Sequence, residues 1–430
     1  MTRFHDTVFI GSGISCLAAA RRCGGDHVVF ESDQRPGGLC RTERVGDFAF
    51  DYTGHLLHLR PGPIARWLKS LLRGKLVGHE RSAWVFSNGV YTRYPYQQHF
   101  YGLPVEVAAD CLLGMFEASK RRQRKATNFA EWVLSTFGEG VARHFMFPYN
   151  RKLWTVEPSE LTTEWMGRFV PRPDLRQVIL GALADVRDRA GYNPTFLYPR
   201  EGGIETLVKA LARRVRIECG RRVVEIDAGA RRLRLWDGEW VGFGRLVSCA
   251  PLPELVRMTK DAPDGVRRAA GRLRWVSVYN LNVGLKGEAP PRHWVYVPEK
   301  RFRIYRFGYQ SNFCRAMAPP GHYSIYTELA VRGGKPARRS VLRERVLADL
   351  RQTGVLGPRE RPAELCELVL PYAYVIYDRN RTPAVNAIRR WFEQREIWPV
   401  GRFGRWEYGS MEDAVRQGLE VADLIARGRR

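Results

Sequence analysis

No stretch of this 430-residue chain approaches about eighteen consecutive apolar residues, so no transmembrane helix is expected. The eight cysteines (Cys16, Cys23, Cys40, Cys111, Cys219, Cys249, Cys314 and Cys366) are scattered, without a single C-x-x-C pair. That argues against a zinc site, and no metal is expected; reduced, mostly buried thiols in a cytosol fit better. Internal repeats, low-complexity tracts and obvious linkers are all missing. So is any Ser-His-Asp, Cys-His or paired-carboxylate signature, and with it an obvious side-chain nucleophile. Apolar, β-branched residues begin almost at residue 1, which predicts that no cleaved signal precedes the fold.

Acidic residues are also scarce: 45 Asp and Glu stand against 70 Lys and Arg, a net charge of +25. Most of the excess is Arg spread along the chain, with one dense run, KRRQRK (Lys120 to Lys125), at the expected exposed end of a helix. A solvated basic surface, attraction to an acidic membrane face, and polyanion binding all produce such a balance. No nucleic-acid module accompanies it, so a nucleic-acid partner is not expected, while peripheral contact with an acidic membrane stays open. Anionic substrates are favoured in every case. An apolar share of 44% and this length suit a globular protein of two or three domains, expected to be a soluble cytoplasmic enzyme.

What is present begins at residue 6. DTVFI (residues 6 to 10) has the composition of a buried parallel strand, GSGISC follows at once, and LAAARR reads as a helix. Gly11 allows the tight turn and Gly13 lets a pyrophosphate approach the backbone. The first turn of the new helix, with Ser15 and Cys16, offers unpaired N–H groups to that phosphate. Cys16 is small enough for the close helix–strand packing that the third position of the pattern requires. A second strand, HVVFE, ends in Glu31, whose carboxylate can accept both ribose hydroxyls of an adenine dinucleotide.

A second glycine turn, RPGGLCRTE (Arg35 to Glu43), follows directly and brings Gly37, Gly38 and Arg41. A nicotinamide enzyme has no need of one there, whereas a flavin enzyme passes its backbone along the pyrophosphate and under the isoalloxazine. The stretch resembles the R-x-G-G-R-x-x-T segment of FAD-dependent amine oxidases, phytoene desaturases and UDP-galactopyranose mutases, with Leu39 in place of its first Arg. The expected cofactor is FAD. Gly54 and His55 in FAFDYTGHLLHL sit where a strand would deliver a loop to the flavin face. Further along, YPREGGIETLVKALARR is read as paired glycines before an amphipathic helix. Val223 and Val224 are placed against the adenine, and Gly401 and Arg402 near the pyrophosphate. Met411 opens a helix whose N-terminus faces the flavin.

The expected fold is α/β: a Rossmann-type FAD-binding domain with an inserted helical domain and an antiparallel β-sheet substrate domain. Its segments are 1–90 (FAD-binding, first part), 91–190 (mainly helical), 191–260 (FAD-binding, second part), 261–385 (substrate sheet) and 386–430 (FAD-binding, C-terminal part). WVFSNGVYTRYPYQQ contains a hairpin turning at Asn88-Gly89. The helical insertion holds FMFPYNRKLW, which with YPYQ concentrates aromatics and amides (Tyr94, Gln97, Phe145, Tyr149, Asn150 and Trp154). Such faces stack on a planar base, and such amides match a uracil edge.

The segments DYTGHLLH, YPYQQHFYGLP, FMFPYNRKLW, YNPTFLYPREGGIE, HWVYVPEKRFRIYRFGYQSNF and GRFGRWEYGSMEDAVRQG are similar to those of the UDP-galactopyranose mutase superfamily, closer to its eukaryotic branch. The resemblance implies that Tyr94, Gln97, Phe145, Tyr149 and Asn150 hold uridine. It implies that Arg306 grips the diphosphate with Tyr377 and Tyr408, that His55 lies beside the flavin, and that Asn193 lies near the sugar. The family's second diphosphate arginine is replaced by Phe169, with Arg168 adjacent and Arg172 three residues on. The implied activity interconverts pyranose and furanose forms of a UDP-sugar for cell-surface glycans. Reduced flavin is the nucleophile, with electrons from NAD(P)H or another reductant. The alternatives are a flavin oxidoreductase of the amine-oxidase or protoporphyrinogen-oxidase type and a flavin-holding protein without catalysis.

Overall fold

The computed structural model describes residues 3–121, 125–167, 170–186, 194–333 and 338–428. Two seven-stranded sheets organise them. In the first sheet, apolar strands Arg3–Ile10, His27–Phe30 and Trp240–Ser248 run parallel. Ile10 pairs with both Phe30 and Ser248, and Ser248 pairs with Pro399 of strand Ile397–Pro399. Because those strand ends are in register, Gly11, Glu31, Cys249 and Gly401 all emerge at one sheet edge. That edge is where open parallel sheets place their ligands. Helix Ile14–Cys23 begins there and packs against the C-terminal helix Met411–Arg427.

The second sheet runs in the order Glu364–Val375, Trp275–Lys286, His322–Arg332, Arg306–Tyr309, Trp294–Tyr296, Ala83–Ser87, Val90–Arg93. The Asn88-Gly89 hairpin forms as the dipeptide dictates. It extends this second sheet through a parallel pairing of Ala83–Ser87 with Trp294–Tyr296, and takes no part in the first sheet. Across the strands Tyr296 pairs with Arg306, and Arg306 pairs with Glu328. With the two-residue period of a strand, this aligns Tyr296, Arg306, Tyr326 and Glu328 on one face.

Helices Val105–Lys120, Phe129–Val141, Phe147–Trp154 and Leu175–Leu183 form the helical layer. Arg168, Phe169, Asn193 and positions 122–124 of the basic run lie outside the described residues. Among the described residues no helix is long and apolar enough to cross a membrane.

Candidate active site

A cavity of about 1190 Å³ runs from the glycine edge of the first sheet to the tyrosine-lined face of the second. It exceeds the roughly 300–1,000 Å³ of an ordinary small-molecule pocket, room for an extended ligand plus a second one. Seven arginines and three glutamates line it, so its balance of charge favours anionic occupants.

The dinucleotide end is built as the glycine pattern requires. Gly11 adopts φ +84°, and a Cβ there would stand 2.8 Å from the Cys249 sulfur. The turn therefore needs glycine both for its backbone and for the space above the neighbouring strand end. Glu31 is buried and points into the loop. It accepts the Ser12 backbone N–H at 2.8 Å and the Asp33 N–H at 2.9 Å, and is also bonded by the Ser12 hydroxyl. Gly13, Ser15, Gly37, Gly38, Arg41 and Val224 line the same end. Arg41 is held by Asp33 at 2.8 Å and lies over the Tyr52 ring. Cys16 does not reach the cavity: it is fully buried, its thiol 3.7 Å from the Ile10 carbonyl, filling the helix–strand contact.

At the middle, Ser410 caps helix Met411–Arg427, with Asp413 returning the bond to its backbone N–H. Met411 and Gly401 line the wall there. The Gly401 N–H donates to Gln417 at 2.8 Å. Arg402 donates to the carbonyls of Ala373 and Gly409, both at 3.0 Å, and so ties the second sheet to this loop. Gly54 and His55 line the cavity opposite. A Cβ at Gly54 would run into the Tyr326 ring, 2.8 Å from Cζ, so only glycine lets the loop lie against that strand. The Nδ1 of His55 is buried and has no partner among the described residues. Burial, with the Arg402 and Arg306 charges, pushes the His55 pKa down to about 4, so the ring is neutral near pH 7.

The far end is centred on Arg306. Its Nε and Nη2 donate to Glu328 at 3.0 and 2.7 Å, Nη2 also reaches the Tyr374 hydroxyl at 3.2 Å, and Nη1 has no bond among the described residues. Burial opposes this charge, but the Glu328 carboxylate more than offsets it, and the guanidinium is held firmly protonated. Tyr296, Tyr305, Tyr326, Tyr374 and Tyr408 line the surrounding wall. Burial raises the pKa of the Tyr374 and Tyr408 phenols, which therefore remain donors.

The sequence-predicted substrate residues divide here. Tyr94, Arg306 and Tyr408 line the cavity. Tyr377 does not; its hydroxyl accepts the Tyr408 backbone N–H at 2.8 Å, and Tyr374, one strand-turn earlier, stands at Arg306 instead. Residues Leu370 to Tyr374 of strand Glu364–Val375 all line the cavity, and the strand ends before Tyr377. Phe145 and Tyr149 are stacked 5.4 Å apart at 6°, and Tyr96 stacks on Phe145 from the other side. A base between two rings needs about 7 Å, twice an ordinary contact distance, so these rings are closed on one another.

Asn150 donates its amide N–H to the Met146 carbonyl and its oxygen accepts the Trp154 indole N–H, while Gln97 donates to the Pro171 carbonyl. Trp154 is fully buried beneath Tyr374 and Tyr408. Arg172 lies over the Trp132 ring and is absent from the cavity wall. Residues missed from sequence include Glu328, an acid inside the apolar strand YSIYTELAV, and Arg81, whose guanidinium lies 5.1 Å over the Tyr94 ring in the cavity wall.

A parallel-stranded glycine edge, a buried acid on the neighbouring strand and a second sheet facing them define a dinucleotide-binding enzyme of two-sheet architecture. The flavin-containing amine oxidoreductase family matches residues 14–426, and the chain belongs to that family. The structure is similar to the crystal structure of a reduced UDP-galactopyranose mutase. That similarity has a TM-score of 0.93 and 27% identity, over 98% of this chain and 96% of that one. A putative protoporphyrinogen oxidase from Exiguobacterium sp. 255-15 superimposes with a TM-score of 0.76 and 17% identity, covering 100% and 99% of the two chains. Cyclohexylamine oxidase from Brevibacterium oxydans IH-35A gives 0.70 and 17%, over 99% of both. The protein is a flavoenzyme, the comparisons imply FAD, and the cavity fits it. The Gly11 turn, the helix N-terminus at Ile14 and buried Glu31 would hold the dinucleotide, and the Gly54–His55 loop and Met411 line the same cavity beyond them.

Proposed function

We propose that the enzyme is a sugar-nucleotide mutase that interconverts pyranose and furanose forms of a UDP-sugar. The observation that carries this reading is Arg306, set among protonated tyrosines opposite the Gly54–His55 loop in a chain that follows a UDP-galactopyranose mutase over nearly its whole length. When bound and reduced, the flavin supplies the nucleophile toward the anomeric carbon, and no net oxidation results. The protein's work is then to receive the departing diphosphate. Nη1 of Arg306 and the hydroxyls of Tyr374 and Tyr408 are the donors that would meet that negative charge, in a cavity that burial makes sensitive to every charge. Glu328 fixes the plane of the guanidinium through two bonds while cancelling much of its net charge. Neutral His55 adds no like charge beside Arg306 and Arg402. Anaerobic incubation of the reduced enzyme with UDP-galactopyranose should yield the furanose isomer, and the same mixture in air should not. Failure under both conditions with fully flavin-loaded protein contradicts the reading.

One observation favours a second reading. The Arg306–Glu328 pair leaves the centre of the far cavity near neutrality, which suits an uncharged or cationic substrate better than a diphosphate. A flavin oxidoreductase of the amine-oxidase or protoporphyrinogen-oxidase type would consume oxygen with an amine or porphyrinogen and ignore sugar nucleotides.

A further inference from the structure

Eleven large apolar side chains stand exposed among the described residues, and seven of them belong to one helical layer between residues 101 and 183. Val105, Leu113 and Phe116 lie on the outer stripe of helix Val105–Lys120, at 80%, 61% and 44% exposure. Their spacing of eight and three residues keeps them on one face. Ile179, Leu180 and Leu183 lie on the outer stripe of the adjoining helix Leu175–Leu183, and Tyr101 joins the two through its N–H to the Gly181 carbonyl. A soluble surface rarely gathers so many large apolar groups in one place without something to cover them.

Basic residues border this face. Lys120 and Arg121 close the first helix, Lys125 follows, and exposed Arg172 and Arg176 flank the second. The Lys120 ammonium lies 4.0 Å over the Phe116 ring, a cation–π contact that sets a positive charge directly beside the apolar stripe. Of the neighbouring acids, Asp110 is bonded to Arg143 and His144, Glu117 lies 3.8 Å from Arg121, Asp185 is paired with Arg93 and Asp174 caps the second helix; Glu106 also stands in the first turn of the first helix. A chain of net charge +25 resists approach by its own copy and is drawn to anionic surfaces.

From this juxtaposition we propose that the two helices dock on an anionic phospholipid bilayer, with Phe116, Leu113 and Leu183 entering the headgroup boundary and the basic rim meeting lipid phosphates. The segment that follows cavity-wall Tyr94 runs through Tyr101 straight into this layer.

The test is flotation of the flavin-loaded enzyme with vesicles of phosphatidylcholine containing phosphatidylglycerol, and with vesicles of phosphatidylcholine alone. The enzyme should float with the anionic vesicles. Phe116→Ser with Leu183→Ser should weaken that association roughly tenfold at unchanged flavin content, and Lys120→Glu severalfold. Hydrogen exchange on the unmodified enzyme provides a check that needs no variant: vesicles should protect the amides of Val105–Lys120 and leave Trp240–Ser248 unchanged. Flotation undiminished by the serine substitutions would reduce the effect to bulk charge attraction and overturn the proposal. So would an absence of flotation, or an enzyme dimer that those substitutions dissociate, since a second copy would then be what covers the face.

Discussion

The two ends of the cavity are made in opposite ways. At the dinucleotide end the main parts lie within a short piece of chain: strand, Gly11 turn, helix and Glu31 fall inside the first 31 residues, Gly37, Gly38 and Arg41 follow closely, and register brings in Cys249 and Gly401. At the Arg306 end, Tyr296, Arg306, Glu328 and Tyr374 come from four strands and meet only because the sheet pairs them. A site written locally tolerates loose prediction, since spacing fixes geometry. A site assembled across strands depends on which face each residue takes, where a shift of one position reverses the outcome.

The largest effect expected on this contrast comes from the local end. Glu31→Arg removes the buried acceptor and puts a cation in its place, so the purified protein should lose its flavin spectrum altogether. A retained full spectrum would mean that the adenosine lies elsewhere.

Next in size is Arg306→Ala, expected to cost about 3–4 kcal/mol in turnover, a hundred- to a thousandfold, as for comparable charge-stabilising donors. It also strands buried Glu328, so stability should fall by about 3–5 kcal/mol. Adding Glu328→Gln should restore most of that stability and little of the turnover. If both recover together, the pair is structural and Arg306 holds no charge in the reaction.

These two substitutions bear on how much could be read in advance. The glycine turns, Glu31, the helix after Gly203 and the Met411 helix stand where spacing puts them, because each is decided by backbone within a few residues. Arg306 and Tyr408, expected from motif, both line the cavity. Tyr377, expected beside them, lies off the cavity wall just past the end of strand Glu364–Val375, whereas Tyr374 lies within that strand, whose end the pairing with Trp275–Lys286 defines. Glu328 was missed because its partner lies on another strand. The amides of Gln97 and Asn150 could be recognised as polar groups in an aromatic layer, but which atoms they satisfy is set by helix packing.

Phe145→Ala sharpens this point. Its ring lies between Tyr96 and Tyr149 in the core, so truncation should cost about 3–5 kcal/mol of stability. Thermal protection by UDP, about 2.7 kcal/mol at a hundredfold excess over Kd, should then persist in the variant. Preserved stability with lost UDP protection would show that these rings part to admit a base.

The smallest effect concerns acid. His55 and His293 have pKa values pushed down to about 4 by burial, below the ordinary 6.5. The unfolded chain therefore takes up those protons first. Their contribution to stability is complete above pH 6.5 and is lost as pH falls toward 4. Asp51 acts in the opposite sense: burial, against hydrogen bonds from Thr42 and Tyr198, raises its carboxyl to about 6, and the cost of its charge disappears over the same window. Thermal melts between pH 7 and pH 4 should fall in the native enzyme and fall more gently in His293→Asn. An equally steep fall in that variant would remove His293 from the account.

The central claim, that the Arg306 end receives a diphosphate expelled from an anomeric carbon, is tested most directly by positional isotope exchange. UDP-galactopyranose carrying ¹⁸O in the bridge between the anomeric carbon and the diphosphate is incubated with the reduced enzyme. Breaking that carbon–oxygen bond frees the labelled oxygen to exchange places with the other oxygens on its phosphorus before the bond reforms. The account predicts label in non-bridging positions of recovered substrate, slowed a hundred- to a thousandfold by Arg306→Ala. Label that stays wholly in the bridge, with flavin-loaded and reduced enzyme, would contradict it.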